Sequence, residues 1–325
     1  MVYGLIIVRW VHWAACLLLG SSQLFRVWLL PVCEPSERGK AQLGVQGLEM
    51  RLGTMAIVTW AVALFSMMLW FGLTAWDMTG ADAGSFDLSF LDAVAGQTQF
   101  GRVCLMRLAI LAVLGVCLFA AHGKPVLAAT ARHRVTTAAL TLVNLVMLAL
   151  TSHAAAAPGM TGTWRLLVDA VHLLAASIWP GGLVWFALLL RCALQSKPLP
   201  LLGIAARATH RFSALSLMAV GVLSGTGLVM RFFFLNQVHD LWTSAYGRLL
   251  TTKVIIFSGM LAIGAWNLLI LRRKLGSQAQ QPCGDEPAAP ACALFRNVMC
   301  EIVLSAIVLL VVAALGLTGP PVRAG

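Results

Sequence analysis

LLVDAVHLLAASIWPGGLVWFALLL, residues 166–190, is an apolar run interrupted by one aspartate, Asp169, and one histidine, His172. It is longer than the roughly 20 apolar residues a helix needs to cross the hydrocarbon core of a bilayer. Seven further runs of comparable length lie at 4–30, 52–73, 103–121, 135–152, 212–235, 249–271 and 295–317. The expected fold class is therefore all-α: a polytopic membrane protein of eight transmembrane helices. An even number of spans leaves both termini on one side.

The rest of the composition agrees. Of 325 residues, 60% are hydrophobic and 11% charged, whereas soluble domains run near 25% charged. A net charge of +11 would suit nucleic acid in a soluble protein. Here the basic residues occupy short connections between apolar runs, which is how membrane proteins fix their orientation, so no nucleic acid partner is expected. No Gly-rich phosphate loop and no serine-nucleophile elbow occurs, and no enzymatic activity is expected. Cys16, Cys104, Cys117, Cys192 and Cys300 lie in or beside the spans without a C-x-x-C pair, and are read as small hydrophobes. Arg9 and His12 break what would be the apolar region of a signal peptide, so the first segment is expected to be retained. A single membrane domain is expected over 1–325, with a flexible cytoplasmic linker at 276–290 rich in Gln, Pro and Ala.

Basic residues assign the sides. The connections 1–2, 3–4, 5–6 and 7–8 hold 14 Lys and Arg, among them Lys124, Arg191, Lys197 and Arg272, while the opposite side holds Arg102, Arg165, Arg248 and Arg323. Positive charge marks the cytoplasmic face. Both termini are thus expected in the periplasm of a bacterial inner membrane. The outward loop at 74–101 carries Asp77, Asp82, Asp87 and Asp92, which fits that side.

A weak internal repeat runs through the chain. Phe100-Gly101-Arg102 precedes Arg107, and Tyr246-Gly247-Arg248 precedes Lys253, with the same spacing. Helix 1 carries His12 in Val11-His12-Trp13-Ala14-Ala15, and helix 5 carries His172 in Val171-His172-Leu173-Leu174-Ala175. Residues 1–152 and 166–317 thus read as two parallel four-helix copies, an arrangement that places a site where the repeats meet.

Ionisable groups inside a bilayer are expensive and mark function. At 1.5 Å per residue, His12 lies about 12 Å and His172 about 9 Å below the outer surface, and His153 closes helix 4 at its outer end. Imidazole suits copper, zinc, iron and nickel, and thioether selects copper(I). The expected metal ligands are His12, His153 and His172, with Met160 on the short loop after His153. Asp169, three residues before His172, is placed to fix the imidazole from outside the metal shell. Arg9 holds the equivalent place in helix 1 and is a candidate partner for Asp169. His122, His133 and His210 read as interfacial, His239 as an outer-loop residue, and the role of Glu301 stays open. Paired histidines on separate helices also resemble axial ligands of haem b, so haem is carried as the alternative cofactor. A copper-delivery scaffold without transport is the second alternative.

The run Asp169-x-x-His172-Leu173-x-Ala175-x-x-Trp179-x-Gly181-Gly182 resembles the copper resistance protein D (CopD) family. Arg9-x-x-His12, Ser152-His153-Ala154, Arg211-Phe212-Ser213, Tyr246-Gly247-Arg248 with Lys253, and Asn267 are similar to that family too. The resemblance implies an eight-helix inner-membrane protein that moves copper, as Cu(I) or Cu(II), commonly beside a periplasmic copper-binding protein of the CopC type. It also implies that His12, His153 and His172 are the family's intramembrane histidines. No CopC-like domain is fused here, so such a partner would be a separate chain. Pro180 stands where an apolar residue is usual, and a kink below His172 is expected.

Overall fold

The structure is a computed structural model that describes residues 1–29, 40–78, 88–124, 127–128, 130–151, 159–195, 200–234, 239–271 and 289–318. Eight helices are long and apolar enough to cross a membrane: Val2–Val27, Gly47–Met78, Gln99–Ala121, Ala131–Thr151, Gly159–Gln195, Ala205–Phe233, Ala245–Leu271 and Ala289–Leu315. They are numbered here as spans 1 to 8. No strand occurs among the described residues. The chain is an all-α polytopic membrane protein.

Several spans outrun their apolar cores. Span 2 belongs to a helix that covers Lys40–Met78, and span 5 begins at Gly159 rather than near Leu166. Backbone hydrogen bonding continues a helix into the polar interface, whereas hydropathy marks only the part at hydrocarbon depth.

At Pro180 span 5 departs from α-helical geometry by a specific device. The helix Gly159–Ala176 passes through a π-helical turn, Ser177–Gly181, before resuming at Gly182–Gln195. A proline ring presses on the carbonyl four residues back and lacks an N–H, and one widened turn absorbs both defects. The turn sets Gly181 on span 1, where an added Cβ would lie 2.8 Å from the Leu17 carbonyl oxygen. Ser177 donates to that same carbonyl at 3.1 Å, and the Trp185 indole donates to Leu18 O at 3.1 Å and to Ser21 Oγ at 2.9 Å. Gly20 meets Ser177 from the other side, so a side chain at 20 would collide with its hydroxyl.

Spans 1 and 5 are consequently the inner pair. Half of the apolar window of span 1 and 61% of that of span 5 is buried, against 11–39% for the other six. Two buried clusters form the core, and they interlock: the second takes in Phe25, Leu48 and Leu52 of spans 1 and 2, and the first takes in Leu173 of span 5. Trp13, Leu17, Met67, Trp70, Leu111 and Leu145 pack in the first half, and Trp179, Trp185, Phe186, Phe212 and Leu294 in the second.

The aromatic-Gly-Arg motifs occupy matching corners. Thr98 caps span 3 by accepting from Gly101 N at 2.9 Å and donates to Val94 O at 2.7 Å. Ser244 caps span 7 by accepting from Gly247 N at 2.9 Å and donates to Asp240 O at 2.7 Å. A hydroxyl at the N-cap satisfies a helix donor that would otherwise be orphaned. A Cβ on Gly101 would strike the Val94 carbonyl, and one on Gly247 the Asp240 carbonyl, so only glycine fits either corner.

Candidate metal centre

His12 is fully buried on span 1. Its Nδ1 lies 3.1 Å from Ala63 O and 3.1 Å from Ser66 Oγ on span 2. A carbonyl only accepts, so Nδ1 carries the proton and Nε2 presents a lone pair. Arg107 of span 3, also fully buried, donates to Nε2 through Nη2 at 2.9 Å. The same Nη2 donates to Cys16 Sγ at 3.2 Å, and Arg107 Nε donates to Asn144 Oδ1 on span 4 at 3.2 Å. Cys16 Sγ stands 3.4 Å from His12 Nε2. Trp70 covers the imidazole with ring centroids 5.5 Å apart. All four spans of the first half thus contribute to one polar knot inside an apolar core.

His172 on span 5 repeats the main part of this design. Its Nδ1 lies 2.8 Å from the Thr226 hydroxyl on span 6. That hydroxyl donates back to Val222 O at 2.6 Å, just as Ser66 donates to Val62 O at 2.6 Å. Each hydroxyl therefore accepts the imidazole N–H. In both centres the hydroxyl residue follows its histidine by 54 positions. Lys253 of span 7 faces His172 electrostatically, as Arg107 of span 3 faces His12. Asp169 lies within the field of Lys253 and Tyr246.

The remaining expected residues are distributed as follows. His153 lies outside the described residues, as do Asp82, Asp87 and most of the 276–290 linker. Met160 is in the first turn of span 5 and is 79% exposed. Arg9 does not pair with Asp169: it donates to Gly316 O at 2.8 Å and lies over the Trp13 and Trp70 rings at 5.6 and 5.5 Å. The hydrogen-bond partner of the His172 ring is Thr226, on another span, rather than Asp169 on its own helix. Among the described residues no three His, Cys, Asp or Glu side chains converge closely enough to hold a metal.

Sequence reasoning missed Ser66, Thr226, Asn144 and the sulfur of Cys16. The equal spacing of a hydroxyl after each histidine was the signal available for the first two. Glu301 is also engaged. It accepts from Asn267 Nδ2 at 2.7 Å, Asn297 Nδ2 donates to Asn267 Oδ1 at 2.8 Å, and Trp179 hydrogen-bonds the carboxyl group. Glu301, Asn267 and Trp179 line a cavity of about 270 Å³ between spans 5, 6, 7 and 8, bordered by Val220 and Leu261. At the equivalent spacing from His12 the first half carries a tryptophan. Trp60, which follows His12 by as many residues as Val220 follows His172, donates to Leu111 O at 2.7 Å and lies against Gly115.

Comparison with known families bears on these centres. Residues 1–164, which contain the whole His12 centre, match the family described as "Copper resistance protein D-like, N-terminal domain", and residues 206–315 match "Copper resistance protein D". The chain belongs to the copper resistance protein D family. It is similar to the copper resistance protein D of Pseudomonas syringae pv. tomato, at 26% identity over 98% of both chains. It is 36% identical over 126 residues to the copper transport protein CutJ of Bacillus subtilis (strain 168), a match covering 39% of this chain and 22% of that one. Inner membrane protein YebZ of Escherichia coli (strain K12) is 23% identical over 97% of this chain and 98% of its own. No solved structure matches. As a member of the copper resistance protein D family with eight spans, the chain is a multi-pass, copper-related membrane protein.

Proposed function

We propose that this protein moves copper inward across a bacterial inner membrane, taking it from the periplasm and contributing to copper homeostasis or resistance. Both termini then lie in the periplasm, and a separate copper-binding protein of the CopC type is a suitable donor. The observation that carries the reading is the pair of matched histidine centres on the two inner spans. In each, a hydroxyl from the neighbouring span accepts the Nδ1 proton and leaves the lone pair on Nε2, which at His12 accepts from Arg107 until an ion displaces that N–H. Fixing the tautomer through the far ring nitrogen is what outer partners of metal-bound histidines do, and imidazole is a good copper ligand. His12 and His172 serve as successive ligands, one per half, with His153 and Met160 gathering ions at the outer entrance. The two halves are read as parallel copies whose inner spans, 1 and 5, form the route between them. Relatives named for copper transport and copper resistance support the choice of ion.

The arrangement around His12 argues against haem there. An axial ligand needs an open face at its free nitrogen, and His12 Nε2 is closed by Arg107 and Cys16. An optical spectrum of the purified protein tests this directly: a Soret band would replace copper with haem. Transport is tested by copper accumulation in cells with and without the gene, comparing His12→Ala and His172→Ala with His210→Ala and His133→Ala. The first pair is expected to abolish gene-dependent accumulation and the second to spare it. Equal behaviour of all four would reduce the histidine centres to packing, and accumulation independent of the gene would leave a delivery scaffold.

A further inference from the structure

Glu301 lies near the middle of span 8, 12 residues from Ala289 and 14 from Leu315, and is 2% exposed. Its partners, Asn267 and Trp179, are neutral donors. A carboxylate withdrawn from water is costly unless a cation faces it, and an unpaired one takes up a proton instead. The charged groups on the surrounding spans are held elsewhere. Lys253 is 11 residues outward of Gly264 on span 7, roughly 16 Å along the helix, and faces Asp169 and His172. His172 is itself seven residues outward of Trp179 on span 5. Arg9 of span 1 bonds to Gly316, 15 residues outward of Glu301. Arg191, Arg207, His210, Arg211 and Arg296 belong to the inner ends of spans 5, 6 and 8.

Glu301 also borders open space. The cavity it lines runs from Val220 and Leu261, near mid-membrane, to Thr209, Leu268 and Leu294, near the inner ends of spans 6, 7 and 8. At about 270 Å³ it has room for several water molecules, each of which takes about 30 Å³ in the liquid. Its wall carries a second polar group in need of a partner, the buried hydroxyl of Ser216 on span 6. An acid O–H at Glu301 therefore adjoins a partly polar space that leads inward. The His172 centre lies in the opposite direction, about two turns of span 5 beyond Trp179. On the orientation proposed above, Glu301 stands between that centre and the cytoplasmic face.

We propose that Glu301 is a proton-exchange site, at which a proton and a copper ion arriving from the His172 centre compete for one carboxyl group. The inference rests on the copper reading above and adds an inner site and its competing ligand. As the ion enters the cavity, the acid O–H bond breaks, the carboxylate becomes the counter-charge of the ion, and the proton leaves along the cavity toward the inner face. When the ion moves on, the carboxylate takes a proton back from the same side. No electron is transferred. For a monovalent ion the net charge around Glu301 is zero at both stages, so neither leaves an uncompensated charge in the apolar core. Asn267 is held from behind by Asn297 Nδ2 at 2.8 Å and keeps its own amide N–H on the carboxyl group throughout. Carboxylate is a poorer match for copper(I) than thiolate or thioether, which suits a stop from which the ion must leave.

The test is infrared difference spectroscopy on the full-length protein in lipid nanodiscs at neutral pH, where the C=O stretch of a protonated carboxyl group is separate from the bands of carboxylates. The wild type is expected to show such a band, shifted by exchange into heavy water, and Glu301→Gln to lose it. Glutamine keeps the shape and neutrality of the acid, so the variant should fold. Glu301→Asp, which moves the band instead of deleting it, replaces the glutamine variant if that one fails to reach the membrane. Loading the wild type with copper(I) under reducing, anaerobic conditions should bleach the band. Spectra that coincide in wild type and variant overturn the inference and leave the histidine reading intact. So does a band that stays unchanged in protein shown by competition with a chromophoric chelator to have bound copper. If that competition detects no copper on the wild type, the copper reading fails first and the exchange falls with it.

Discussion

His172 donates through Nδ1 to the hydroxyl of Thr226 at 2.8 Å, the one hydrogen bond of its ring among the described residues. His12 is held twice, by Ser66 and by the Ala63 carbonyl, both at 3.1 Å. Two histidines in corresponding places therefore depend to different degrees on a neighbouring hydroxyl.

That difference can be measured. Thr226→Val keeps the volume and removes the acceptor, so copper affinity should fall by about 10–100-fold, the usual loss for an outer partner. Thr226→Ser should restore it. Ser66→Ala should do less, within about tenfold, because Ala63 O still takes the proton. A chelator competition on purified variants reads all three, and equal losses at 66 and 226 would contradict the geometry.

Asp169 is placed to act on the second centre through charge. It lies in the field of Lys253, which in turn faces His172. Asp169→Asn should weaken copper binding by leaving the lysine uncompensated beside an incoming cation. The double variant Asp169→Asn with Lys253→Met should recover part of that loss. Additive losses in the double variant would mean the two charges act independently.

Gly115 is tested by stability rather than function. Its Cα lies against the Trp60 ring, where any side chain collides. Gly115→Ala should destabilise the protein by about 1–3 kcal/mol, the range for overpacking. Adding Trp60→Phe should return part of it. Thermal unfolding in detergent, followed by monodispersity, checks both steps.

Orientation is tested with reporter fusions. Fusions after Leu91 and Pro158 are expected to read periplasmic, and those near Lys197 and Gly284 cytoplasmic. A cytoplasmic signal at Pro158 would put the His172 end of span 5 on the wrong side to collect periplasmic metal.

The spans and His12 were legible in the sequence because a bilayer demands long apolar runs and penalises charge. Pro180 likewise announced a break in regular α-helix, although not the π-helical turn that sets Gly181 on Leu17. What escaped was tertiary. Ser66 and Thr226 are unremarkable in a hydropathy profile, since a hydroxyl can bond back to its own helix, and both do. Only a fold that brings spans 1 and 2, or 5 and 6, together shows that they also meet an imidazole. Cys16 read as filler for the same reason: its hydrophobic size fits the core, and its polarity emerges only beside Arg107. Asp169 and His172 share a helix face, but the ring turned toward the adjacent span instead.

The contact of Gly181 with the Leu17 carbonyl has a mechanical consequence. With Ser177 and Trp185 bonded to the same stretch of span 1, the two inner helices touch backbone to backbone and cannot slide without breaking several hydrogen bonds at once. Copper movement of the kind proposed would therefore work around this pair as a fixed axle, with the outer helices shifting against it on the side of the cavity that Val220 borders.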